Sequence, residues 1–80
     1  MFYYNVVIQI NNQGQSTQAV YKFNTLDEAS SSFYTEMAYG INAKLNGVTC
    51  VLLDQIGAVH KIESWQNPEA TYTSDEQEGE

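Results

Sequence analysis

Only one stretch of this chain has helical periodicity, and that stretch is apolar along one side only. In "TLDEASSSFYTEMAYGINA" (Thr25 to Ala43), residues Leu26, Ala29, Phe33, Met37, Gly40 and Ile41 recur at helical spacing and form one stripe to bury. A helix of that kind covers one face of one sheet. The rest of the folded region alternates with period two, so a sheet must take the helix on one side and leave its second face to be explained.

The helix has readable ends. Thr25 is placed to cap it, with Glu28 three residues on to complete a capping box. Asp27 and Glu28 also suit the positive end of the helix dipole. Gly40 costs about 1 kcal/mol relative to alanine in a helix, and close approach of the helix to the sheet accounts for it. Gly47, in the Asn46-Gly47 pair, is the expected left-handed residue that stops the helix.

Before the helix, "FYYNVVIQIN" is apolar at every even position: Phe2, Tyr4, Val6, Ile8 and Ile10. The turn residues "NNQGQS" follow, and "TQAVYKFN" then alternates, with Ala19, Tyr21 and Phe23 on one side. After the helix, "VTCVLLD" and "AVHKIESW" flank "DQIG", where Asp54 and Gly57 suit a type I turn with a bulge. That turn predicts the pairs Asp54–Ala58, Leu52–His60 and Cys50–Ile62. The expected fold class is therefore α+β: ββαββ, a four-stranded antiparallel sheet from two hairpins with one helix packed on one face. The even residues of the first strand, Ala19, Tyr21 and Phe23, the helix stripe, and the Val48, Cys50, Leu52 side of the second hairpin are the expected core.

The face left bare then carries Tyr3, Val7, Val20, Val51, Leu53, Val59 and Trp65, set among polar residues. An apolar patch of several hundred Å² with a tryptophan and a tyrosine marks an interface. Two-fold self-pairing is the commonest kind, so a homodimer through these residues is expected, with a different protein as the second choice of partner.

Charge divides the chain. It carries ten acids, three lysines and no arginine, for a net −7. Residues 66–80 hold Glu69, Asp75, Glu76, Glu78 and Glu80 and no base. The pattern dies after Trp65, so a single domain over 1–66 and a disordered acidic tail over 67–80 are expected. Phosphate recognition relies on Lys and Arg, which argues against direct nucleic-acid binding. The alternative function is an acidic inhibitor that mimics nucleic acid and blocks a host DNA- or RNA-processing defence enzyme. Phosphate-like spacing needs a rigid surface, and here most carboxylates sit on the tail, which a solubilising role also explains.

Chemistry finds little support. Cys50 and His60 are expected on one sheet face beneath the helix, where a reactive thiol–imidazole pair has no cleft to work in. Asp27, Glu28 and Asp54 are accounted for by the helix start and the turn. No phosphate-binding loop, metalloprotease helix or calcium loop occurs, and a single cysteine allows neither a zinc set nor an internal disulfide. No enzyme activity, cofactor or metal is expected, and a small-molecule-binding module in a dimer cleft stays open as a third class without a residue to support it. The opening residues lack the basic and small-residue features of a secretory signal, no run is long enough to span a membrane, and the missing disulfide suits the cytoplasm.

The strings "YNVVIQI" (Tyr4 to Ile10), "AVYKFNTLDEA" (Ala19 to Ala29) and "CVLLDQIG" (Cys50 to Gly57), with the closing Trp65, resemble small proteins encoded by phages, prophages and mobile elements of Gram-positive gut bacteria. The resemblance covers about residues 3–65. It implies a phage or mobile-element setting in a bacterial host cell and brings no activity and no site residues with it.

Overall fold

The computed structural model describes residues 1–70. In chain order the elements are β1 (Tyr3–Ile10), β2 (Ser16–Phe23), α1 (Leu26–Asn42), β3 (Gly47–Asp54) and β4 (Val59–Gln66). All four strands form one antiparallel sheet in the order β2-β1-β3-β4, with α1 lying over β1 and β3. The ββαββ reading holds.

The two hairpins close with the same turn. Asn11 Oδ1 accepts the amides of Gln13 and Gln15, and Asp54 Oδ1 accepts those of Ile56 and Ala58. Gly14 (φ 83°) and Gly57 (φ 89°) take the left-handed position three residues after each, and donate back to the Asn11 and Asp54 carbonyls. A side-chain oxygen that satisfies two turn amides, followed by a glycine where an L side chain is strained, sets the pairing of the residues that flank each turn.

That turn corrects the expected core. It pairs Ile10 with Ser16 and Tyr3 with Phe23, so odd residues of β1 share a face with odd residues of β2. The β1–β3 register then sets Asn5 beside Leu52 and Val7 beside Cys50. The helix side of β1 is therefore Tyr3, Asn5 and Val7. The all-apolar even stripe, Tyr4, Val6, Ile8 and Ile10, faces away from the helix. The core proper is Val7, Ala29, Phe33, Met37, Val48, Cys50 and Leu52, with Tyr3, Phe23 and Trp65 packed around it.

Asn5 is completely buried in this core and donates from Nδ2 to Ser32 Oγ of the helix at 3.0 Å. Burial pushes the Cys50 thiol up to about 11, with the nearby Glu36 adding to the effect. The thiol is thus held protonated and unreactive.

Helix α1 starts as expected: Thr25 Oγ1 accepts the Glu28 amide at 3.1 Å. Its end differs. Lys44 (φ 58°), not Gly47, takes the left-handed position, its amide donating to the Ile41 carbonyl while the Leu45 amide donates to that of Gly40. Gly47 instead opens β3. Gly40 serves the close approach: a Cβ there would lie 2.7 Å from Val48 Cβ and Cγ1. Gly40→Ala is therefore expected to destabilise the fold by about 1–2 kcal/mol, although alanine is the better helix former by about 1 kcal/mol. Urea melts of Gly40→Ala against the parent check this, and an unchanged or higher midpoint would count against the close approach.

The second hairpin shifts register beyond its turn. Leu53 pairs with Val59, but Leu52 pairs with Lys61, leaving His60 as an extra residue in a bulge. Its Nε2 lies 3.0 Å from Asp54 Oδ2, and its ring meets Tyr3 edge-on with 5.6 Å between centroids. The expected pairs Leu52–His60 and Cys50–Ile62 become Leu52–Lys61 and Cys50–Glu63. Lys61, Glu63 and Trp65 turn to the helix side, and Ile62 turns away from it.

The hydrogen bond to His60, with help from the two turn amides, holds the Asp54 carboxyl below the usual range. A depressed carboxyl contributes stability that is present above its unfolded pKa and lost as pH falls through the folded one. Asn11 shows that an asparagine can build this turn. Asp54→Asn is accordingly expected to keep the hairpin and to lower stability at pH 7. Its deficit against the parent should shrink below about pH 4. Thermal melts across pH check this, and a deficit that stays constant with pH would rule out the His60 contact as its source.

Residues 67–70 form a turn beyond β4. The Asn67 amide donates to the Asn46 carbonyl, and Asn67 Oδ1 accepts the Glu69 amide. The rest of the expected tail lies outside the described residues.

Candidate functional site: the helix-free sheet face

Antiparallel pairing carries the helix-free side across all four strands: Tyr4, Val6, Ile8 and Ile10 of β1, Val20 of β2, Val51 and Leu53 of β3, and Val59 and Ile62 of β4. Of the seven residues expected here, Val20, Val51, Leu53 and Val59 are present. Tyr3, Val7 and Trp65 are not: Val7 is buried under the helix, and Tyr3 and Trp65 pack around the core on the same side. In their place stand the β1 stripe and Ile62, which were assigned to the core. The face is more apolar than expected.

None of its aliphatic residues is fully buried, and Val20, Val59 and Ile62 are 57%, 58% and 63% exposed. Val20 lies on one edge strand and Val59 and Ile62 on the other, and the half-buried aliphatics of β1 and β3 link them across the face into one patch. Four strands about 4.8 Å apart and eight residues long, at about 3.3 Å each, span roughly 19 by 26 Å, or about 500 Å².

Charge is sorted by face. The strands hold two carboxylates, Asp54 and Glu63, and both are on the helix side. The charged residue that the helix-free face does carry, Lys22, sits on the edge strand β2 with its Nζ 4.0 Å above the Phe2 ring. Among the described residues the middle of the face has no charge.

The face is also not flat. Gly47, paired between Ile10 and Gln66, leaves an open notch of about 460 Å³ at one end. Ile8 and Ile10 wall one side, and Thr49 and Ser64, joined by a 2.8 Å hydroxyl hydrogen bond, wall another.

Groups with chemical potential are structural. Asp54 and His60 brace a turn, and among the described residues no cluster of His, Cys, Asp and Glu is arranged to hold a metal. Cys50 and His60 are not partners, since Cys50 pairs with Glu63 and His60 bonds Asp54. Among the described residues no helix is long and apolar enough to cross a membrane. Comparison with protein-family models, curated proteins and solved structures finds no match, so the geometry alone carries the functional reading.

Proposed function

We propose that this protein is a non-enzymatic binding module that pairs through its helix-free sheet face, with a second copy of itself as the partner. One observation carries the reading: a continuous apolar face that bears no carboxylate among the described residues, on a chain of net charge −7. Like-charged copies repel, and this is the face on which two copies meet without bringing acids together. Pairing two such planes removes roughly 1,000 Å² of flat area, and more once side-chain relief is counted, which reaches the size of a stable interface. Residues 71–80, "TYTSDEQEGE", contain no aliphatic side chain and set one aromatic ring, Tyr72, among four carboxylates.

A phage or mobile-element setting, in the cytoplasm of a bacterial host, belongs to this reading through the resemblance of its strings. The acidic-inhibitor alternative draws on the acids of residues 66–80, of which only Glu69 lies among the described residues, and no geometry favours it. Light scattering on a sizing column tests the proposal. A mass of twice 9.0 kDa is expected. A monomer at every concentration would overturn self-pairing.

A further inference from the structure

We infer that the two copies meet about a two-fold axis running across the strands, so that the Leu53–Val59 ridge of each copy fills the Gly47 notch of the other. This rests on the self-pairing reading above and specifies its geometry.

The observations are the relief of the face and where its parts lie. The notch lies at the end of the β3–β4 pair where Gly47 faces Gln66. At the other end of the same pair Leu53 faces Val59, whose side chain is 58% exposed and free to enter a notch, with Ile62 (63% exposed) standing between the two ends. Gly47 and Leu53 are equally far along β3 from Cys50, and the Val7–Cys50 pair sits midway along the central strands. An axis across the strands at that level overlaps the two faces fully and exchanges the two ends. Each notch then receives one ridge, and the contact is made twice, as an isologous interface requires. An axis along the strands would set the notch over Ile10 and Ser16 of the second copy, and Ile10 already forms the notch wall. Sheets stacked face to face in either way keep their strands nearly aligned, so backbone packing does not choose between the axes, and the relief does.

The position also permits a clean test. A Cβ at Gly47 would meet Trp65 O at 3.5 Å and Ile10 Cδ1 at 3.7 Å, ordinary contact distances, and Gly47 is not in the left-handed region. Gly47→Val is therefore expected to keep the fold, seen by circular dichroism, while filling the notch. Sedimentation should show the dimer weakened about tenfold or more, and adding Val59→Ala should restore much of the affinity. Independently of that variant's folding, chains carrying Gln66→Cys mixed with chains carrying Val59→Cys should form a disulfide-linked heterodimer more readily than either chain links to itself.

Gly47→Val chains that pair as tightly as the parent would overturn the notch while leaving self-pairing intact. Preferential linking of each chain to itself would overturn the cross-strand axis. A parent protein that is monomeric would remove the reading on which both stand.

Discussion

Leu53→Glu should convert a dimer of twice 9.0 kDa into a monomer with an unchanged circular dichroism spectrum. Leu53 lies on the helix-free face, half-buried, across from Val59, and contributes nothing to the helix-side core. The monomer leaves a glutamate there in water. The dimer must bury two of them, one from each copy, and Lys22, the base that this face carries, lies two strands away beyond Tyr4 with its Nζ over the Phe2 ring. An unpaired buried charge costs about 3–5 kcal/mol, so even one of the two corresponds to roughly a hundred-fold to a few thousand-fold in dissociation constant. Light scattering over a dilution series reads the result. Unchanged mass and affinity would mean that the copies meet elsewhere. Lys22→Glu, on the edge strand, is the fitting comparison, since a charge at the rim changes affinity much less.

Phe33→Ala should bring the domain close to unfolding. Phe33 is completely buried and is the largest side chain joining the helix to Val7, Cys50 and Leu52. Truncating a buried phenylalanine costs about 3–5 kcal/mol. Native domains have only about 5–15 kcal/mol in hand, and a one-sided core in a chain this short belongs at the low end. Urea titration followed by circular dichroism should give a midpoint near zero denaturant. Met37→Leu, close in volume, should cost less than about 1.5 kcal/mol. A small loss for Phe33→Ala would mean that the helix is not anchored where its stripe places it.

The elements were legible, and the faces only in part. Helix α1 announces itself by Thr25, its stripe and Gly40, and each signal is local. The side of β1 that meets the helix is not a local property. Val6, Ile8 and Ile10 make the more apolar stripe, yet Asn5 and Val7 are the residues buried. The deciding information was the turn. "NNQGQ" repeats the design of "DQIGA", and reading the first as the second was read would have paired Ile10 with Ser16 and placed the even stripe beside Gln18 and Lys22. The His60 bulge was harder to see. It depends on a side-chain bond to Asp54 and an edge contact with Tyr3, neither of which alternation records. One inserted residue reverses the strand beyond it, which is why Trp65 moved to the core side and Ile62 to the open face.

The duplicated turn bears on how the chain organises itself in time. Each hairpin is closed within a few residues by its own side-chain oxygen and glycine, so neither depends on the other to begin. Such closures take about 1–10 µs. The pairing of β1 with β3 joins residues far apart in the chain and bears most of the loop-closure entropy. Helix α1 spans that gap and lays its stripe on both central strands. Loop-closure entropy therefore predicts that the two hairpins join beneath the helix last, with Asn5 and Ser32 meeting only when the two halves are in register.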